Sequence, residues 1–426
     1  NKRKKPSMHL RLTEHTKSKR MTALSSLTRS RNAFLTLIAL AATAPTTAFY
    51  TSVPTTRAFT PRSISKMPLQ AEPSLKPYIE TLITGTDLTA ENTYDCFTQI
   101  LAGANEVQVS ALLMLLRAKG ETPTEIAGMV RAMNAACNAV HLPGIKKLDI
   151  VGTGGDGADT INISTASVVL SAACGCIVAK AGNRSVSSAC GSADVLEALG
   201  VVVDLQPEEI VQCVDRCGVA FMFAPINHPA MRFVGPVRKQ LGVRSCFNIL
   251  GPMTNAAGAE RAVIGVFEEE LVELMGGALM EVGRVDHAVV IHGVGLDEIS
   301  PLGPATILEI KNTAPEGEPK TYTQQKFTFD PLTVGIPRCD VLDLKGGGPV
   351  ENADEFRKVL LGGSHTNAKR DSIVLNAGVG VYVYGLTESI EEGCKLARKT
   401  LESGKATEVL EKWVETSQAI RAEETA

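Results

Sequence analysis

Between residues 74 and 141 apolar side chains recur every three or four positions, and no alternating run interrupts them. Leu75, Ile79, Leu82 and Ile83 open one stripe. Leu112, Leu113, Leu115 and Leu116 carry another across 107–119, and Ile126, Met129, Met133 and Ala136 carry a third. Asp87-Leu-Thr-Ala-Glu91 has the composition of a helix entry, and Thr122-Pro-Thr124 caps the last helix. The pattern predicts a small all-helical domain over 71–144.

From Lys147 the pattern changes to short apolar runs separated by helices. The predicted strands are 148–151, 176–179, 201–203, 219–223, 262–266 and 287–291, and the predicted helices are 165–173, 192–199, 207–213 and 268–282. Such alternation implies a largely parallel sheet with helices on both faces, and in these sheets ligands gather beyond the carboxyl ends of the strands. Residues 303–330, with Ile307-Leu-Glu-Ile310 and a second polar strand ending at Phe329, read as an antiparallel edge. After Lys345-Gly-Gly-Gly348 helical patterns return at 352–361, 368–384, 390–403 and 406–423. The expected fold class is α/β: the helical domain, then a larger domain over 145–426 with a central, largely parallel sheet flanked by helices and a helical tail.

The ends and the composition alter this picture in two ways. From Met21, the expected initiator, Arg29 and Arg31 precede an apolar stretch at 33–42 and small residues up to Ala48-Phe49, which is the plan of a signal peptide. Residues 50–70 are rich in Ser, Thr and Pro with Arg57, Arg62 and Lys66, and no Asp or Glu stands between Glu14 and Glu72. This two-part design resembles presequences of algae with secondary plastids, so 1–70 is expected to be disordered or removed, with the mature protein beginning near residue 50 to 70 and lying in the plastid stroma, off any membrane. A net charge of -3, one Trp and 4% aromatic residues give no basic or base-stacking surface for nucleic acid. Ten cysteines in so long a chain, with Cys174-Gly-Cys176 and Cys213-x3-Cys217 lacking a second zinc half-site, are expected to be reduced, buried thiols.

The candidate chemistry sits in the loops. Gly152-Thr153-Gly154-Gly155-Asp156-Gly157 follows a predicted strand and precedes Thr160-Ile-Asn162-Ile-Ser164-Thr165 at a helix start. Glycines let backbone N–H groups approach an anion, and a helix N-terminus favours negative charge. The spacing fits neither the dinucleotide fingerprint nor a Walker loop. Several hydroxyl and amide residues together exceed what capping needs and suit a pyrophosphate. Lys180 at a strand end offers a point charge for phosphate, beside Asn183 and Arg184, the latter open to a structural carboxylate instead. Ser187, Ser188 and Ser192 start another helix and either cap it or touch the same anion. His228, before Pro229, is either a general base or a packed loop histidine. Arg244, after Arg238 and Lys239, suits a bidentate clamp on a carboxylate. Asp297-Glu298 after a Gly-rich turn suits a hard cation shared with substrate phosphates. No side-chain pair is placed as a covalent nucleophile and its base, so catalysis by positioning and electrostatics is expected.

Taken in order, Gly152-Thr-Gly-Gly-Asp156, Asn162-Ile-Ser-Thr165, Gly182-Asn-Arg184, His228-Pro-Ala230, Arg244 with Phe247-Asn-Ile-Leu-Gly-Pro252, and Asp297-Glu298 resemble the anthranilate phosphoribosyltransferase family. The resemblance implies a nucleoside-phosphorylase-type architecture, a helical domain completed by a segment near 228–256, and a homodimer formed through that domain. It implies transfer of the 5-phosphoribosyl group from phosphoribosyl pyrophosphate to the amine of anthranilate, a step of tryptophan synthesis, with Mg2+, two ions being expected. On this reading the glycine run, Thr160, Asn162, Ser164, Thr165, Lys180 and Ser192 bind the donor. Ser164, Asp297 and Glu298 hold the metal, Asn183 and Arg244 engage the acceptor, and His228 is among the substrate-binding residues. Lys180 and Arg244 assist electrostatically. The chain departs from the family's Lys-His-Gly-Asn-Arg in carrying Ala181 where the His stands. Pyrimidine nucleoside phosphorylases and a non-catalytic nucleic-acid-binding branch share the architecture. The Asp297-Glu298 pair and the Thr-Gly-Gly-Asp turn favour the transferase.

Overall fold

A computed structural model describes residues 74–185, 188–362 and 367–425; the presequence expected over 1–70 and Ser187 lie outside the described residues. Four helices come first: α1 (Lys76–Ile83), α2 (Ala90–Leu101), α3 (Glu106–Lys119) and α4 (Pro123–Ala135). Thr89 and Asn105 accept N–H bonds from the first turns of α2 and α3, and Thr122 with Glu125 forms a reciprocal capping box on α4. The Glu125 carboxylate is wholly buried, and it accepts from the Leu88 and Thr122 N–H groups and the Lys119 ammonium, each at 2.9 Å. Those bonds offset the cost of burying the charge. Gly128 lets α4 lie directly on α2, since a Cβ there would meet the Ala90 carbonyl oxygen at 2.5 Å.

The larger part follows as β1 (Leu148–Gly152), α5 (Ile163–Ala173), β2 (Val178–Gly182), α6 (Ser192–Leu199), α7 (Pro207–Cys217) and β3 (Val219–Phe223). Short helices α8 (Ala224–Asn227), α9 (Gly235–Leu241) and α10 (Phe247–Leu250) precede β4 (Arg261–Gly265). Next come α11 (Glu270–Val282), β5 (His287–His292), β6 (Ala305–Asn312) and β7 (Tyr322–Phe329). The chain closes with α12 (Pro349–Leu360), α13 (Ala368–Tyr384), α14 (Ile390–Glu402) and α15 (Lys405–Thr425). One sheet has the order β3-β2-β1-β4-β5-β6-β7. Its first five strands run parallel, and β6 and β7 form the antiparallel edge.

Strand alternation divides the interior. Val263, Val289 and Ile307 join the apolar cluster under α5, α13 and the other tail helices, while Ile264, Val290 and Leu308 join the cluster containing α1–α4 and α11. Val234, Val237, Phe247 and Ile249 belong to that second cluster as well. All ten cysteines are free thiols.

Two sequence expectations are corrected. Residues 201–203 form no strand; Val201 and Val203 are buried, and the Val202 N–H donates to Ser417 Oγ of α15 at 3.0 Å. An apolar run can bury itself against a helix as well as in a ladder, and periodicity does not separate the two. The second strand begins at Val178, not Cys176, and runs past Lys180 to Gly182. Lys180 is therefore an interior strand residue, 1% exposed, and not the strand's last one.

Candidate active site

The site is built on two paired glycines. Gly152 ends β1 and Gly265 ends β4, in register with each other. The Asp297-Glu298 loop, which follows β5, lies directly on them. A Cβ at Gly152 would collide with Asp297 Oδ2, and one at Gly265 with the Asp297 carbonyl oxygen. Asp297 Oδ2 accepts the Gly154 N–H at 2.6 Å, and Glu298 Oε1 accepts the Ser164 N–H at 3.0 Å. One acid thus ties to the glycine elbow and the other to the first turn of α5, an arrangement that only glycine at both strand tips permits. Gly154 and Gly155, at φ 66° and 82°, carry the elbow through the left-handed region. The Thr153 N–H donates to the Gly265 carbonyl at 2.9 Å, while its buried Oγ1 has no partner.

Burial and the neighbouring Asp156 push Asp297 well above the usual carboxylate range, and burial with Asp297 does the same to Glu298. Lys180 is wholly buried, which lowers its pKa. Its Nζ donates to the Ile150 carbonyl at 2.7 Å and faces Asp149, Glu298 and Asp297. Asp149 is buried too; its Oδ2 accepts from Asn255 Nδ2 at 2.7 Å, and burial pushes its carboxyl up to about 6. One lysine among one buried and two half-buried acids leaves the site short of positive charge, and its donors at Asp297, Glu298 and Ser164 are all oxygen. Such a set fits a hard divalent cation. Among the described residues no group of three or more His, Cys, Asp or Glu side chains is placed to enclose a metal. Mg2+ characteristically takes one or two carboxylates together with substrate phosphates, so the pair suffices.

Arg244 is the other pole. Its guanidinium lies over the Phe267 ring at 3.9 Å, donates to the Gly155 carbonyl oxygen and reaches Glu268 at 3.4 Å. The residue expected to hold the acceptor therefore touches the elbow expected to hold the donor. Thr165 Oγ1 bonds Ser192 Oγ at 3.2 Å, joining two more of the expected donor ligands. Asp156 accepts the Ala158 N–H within the elbow, and Thr160 bridges to Lys345. Asn183 Oδ1 accepts the Arg184 N–H, and Arg184 forks onto Glu197 at 2.5 and 2.6 Å with Asp194 at 3.1 Å. Of its two readings, Arg184 takes the structural one. His228 Nε2 is bonded to the Thr254 carbonyl at 2.8 Å, and burial holds its pKa below the usual value. It pins its loop in this structure through Nε2. Sequence reasoning missed Asp149, Glu268 and Gly265. Gly265, at a strand's carboxyl end, carried a usable signal; the others look like ordinary polar residues until the fold brings their partners near.

A model of the glycosyl transferase family's a/b domain matches residues 144–407, and a model of its helical bundle domain matches 76–137. An anthranilate phosphoribosyltransferase of Chlamydia felis is 42% identical over 347 residues, covering 82% of this chain and 98% of the relative. One from Methanosarcina acetivorans is 45% identical, covering 78% and 86%. Among solved structures, the anthranilate phosphoribosyltransferase of Thermus thermophilus superposes with a TM-score of 0.73 at 42% identity, covering 80% of this chain and 99% of that one. The Saccharomyces cerevisiae enzyme in complex with PRPP and Mg gives a TM-score of 0.73 at 25% identity, covering 81% and 98%.

Proposed function

The chain belongs to the anthranilate phosphoribosyltransferase family, and from that membership we propose that it transfers the 5-phosphoribosyl group of phosphoribosyl pyrophosphate to the amine of anthranilate, releasing pyrophosphate. The observation that carries this reading is the contact of Asp297 and Glu298 with the Gly154 and Ser164 N–H groups. Two acids held against a glycine elbow support a cation-binding pair beside an anion-binding loop, as a leaving diphosphate requires.

Bound at Asp297, Glu298 and Ser164, Mg2+ would neutralise the diphosphate as it departs; two ions suit the charge to be met. The chain's own residues do the rest. Glycine-elbow N–H groups, with Thr153, Asp156, Thr160, Asn162, Thr165 and Ser192, shape the donor pocket, and Lys180 supplies fixed positive charge behind it. Arg244 and Asn183 orient anthranilate, with His228 fixing the loop on that side. The amine attacks ribose C1 as the C–O bond to pyrophosphate breaks, through a transition state with oxocarbenium character. An aromatic amine of low basicity releases its proton after attack without a strong protein base.

Residues 71–144, with the segment near 228–256, act as the helical domain and 145–426 as the transfer domain. Exposed Ile83 and Val107 on the bundle, 60% and 76% accessible, support a homodimer formed through it. The basic, hydroxyl-rich 1–70 supports removal of a presequence and a plastid location. No helix among the described residues is long and apolar enough to cross a membrane. The test is pyrophosphate release by the purified protein with Mg2+ and phosphoribosyl pyrophosphate: release that depends on added anthranilate supports the reading, and none at any anthranilate concentration overturns it.

A further inference from the structure

Asn162 stands at the N-cap of α5, yet its side chain makes no cap bond. Its carboxamide is occupied elsewhere: Nδ2 donates to the Cys190 carbonyl at 3.0 Å, and Oδ1 accepts from Asn352 Nδ2 at 3.0 Å. Asn352, in the first turn of α12, is 3% exposed, and its own Oδ1 accepts the Gly347 N–H at 2.7 Å. Two carboxamides 190 positions apart therefore join the elbow's exit, the start of α6 and the Gly-rich turn before α12.

The backbone repeats the link. The Ile161 N–H donates to Leu344, the Gly346 N–H donates to Asp159, and Thr160 bridges to Lys345. Gly346 passes so close that a Cβ would meet Asn352 Oδ1 at 2.7 Å and the Thr160 carbonyl at 2.8 Å. Directly after Asn162 come Ser164, whose N–H holds Glu298, and Thr165, which bonds Ser192. The position must give one hydrogen bond and accept another in a dry setting, and an amide does both.

We propose that Asn352 is a positioning residue for the diphosphate site: through Asn162 it fixes the first turn of α5 against the turn at 345–348, so that the Ser164 and Thr165 groups meet the donor in one geometry. This rests on the donor reading above and adds a residue that touches neither substrate. Asn162, by the same contacts, organises the site through its side chain.

The test is a calorimetric titration of phosphoribosyl pyrophosphate with Mg2+ into the full chain carrying Asn352→Asp, Asn352→Ala, Asn162→Ala or both alanines, with steady-state KM values alongside. Asn352→Asp keeps the volume and the acceptor for Gly347 but exchanges the donation to Asn162 for a carboxylate, so it is read against Asn162→Ala, which breaks the same bond without adding a charge and reports even where Asn352→Ala fails to fold. Donor binding is expected to weaken about fivefold or more, as for a lost buried hydrogen bond. The anthranilate KM at saturating donor stays within about twofold, and the double variant is no weaker than the worse single one. Wild-type donor affinity in Asn352→Asp, equal shifts for both substrates, or additive losses would overturn the inference. A wild-type chain that binds the donor without turnover removes the function reading alone, and one that does not bind it removes both.

Discussion

Replacing Gly265 by Ala puts a methyl group into the Asp297 backbone. The added Cβ would overlap the Asp297 carbonyl oxygen and lie 2.5 Å from its carbon and 3.3 Å from its Cα. Because the obstacle is backbone, no rotamer change relieves it and the acid loop must lift. Overpacking of this kind costs about 1–3 kcal/mol. Lifting also strains or breaks the 2.6 Å bond from Gly154 and the 3.0 Å bond from Ser164, each worth about 0.5–1.5 kcal/mol. Part of that is offset, since a lifted loop rehydrates two carboxyls that burial pushes away from their charged forms. A net loss of about 2–4 kcal/mol follows in urea unfolding, with a Mg2+ requirement raised about tenfold or more as the pair leaves the elbow. Gly235→Ala is the control, because its Cβ meets nothing within 4 Å and its φ is not positive; it should stay within about 0.5 kcal/mol of wild type. Equal stability and equal Mg2+ dependence in the two variants would falsify the glycine-saddle reasoning.

Asp297→Asn combined with Glu298→Gln should lower kcat/KM by about 100-fold or more and flatten the response to Mg2+; a wild-type Mg2+ titration would take both residues out of the mechanism. Glu268→Gln removes a carboxylate that competes for Arg244 across 3.4 Å at a partly exposed position. Such pairs contribute about 0.2–1 kcal/mol, so the anthranilate KM should fall about twofold or threefold with kcat unchanged, and a raised KM would contradict the contact's role. His228 has a pKa lowered by burial, so the folded state favours the neutral ring. Its contribution is present above the unfolded value of about 6.5 and is lost as the pH falls through the lower folded value. Urea midpoints compared at about pH 7.5 and below about pH 6 should fall less in His228→Gln than in wild type; identical losses would remove His228 from the pH response.

Much of this was legible in the sequence, for identifiable reasons. Helical-period stripes gave the bundle, because one face of each helix had to be covered, and short continuous apolar runs gave the sheet, because β4 and β5 are covered on both faces. The elbow showed itself through glycines that a backbone turn demands. Residues 201–203 misled because three valines look alike in a strand and in an extended strap against α15. Lys180 was seen as a charge but not as a buried one, since burial depends on β2 starting two residues later than its apolar run suggests. Asn352 and Glu268 gave no signal at all: their meaning lies in partners 190 and 24 positions away, and only the folded chain brings those together.

The most direct measurement is a stoichiometric one: the full chain with Mg2+, phosphoribosyl pyrophosphate and anthranilate, with pyrophosphate quantified and the organic product identified by mass. The mechanism requires one pyrophosphate per anthranilate consumed and a product carrying the 5-phosphoribosyl group on the amine nitrogen. Pyrophosphate released without anthranilate being consumed, or anthranilate left unmodified while Mg2+ and donor are in excess, would contradict it.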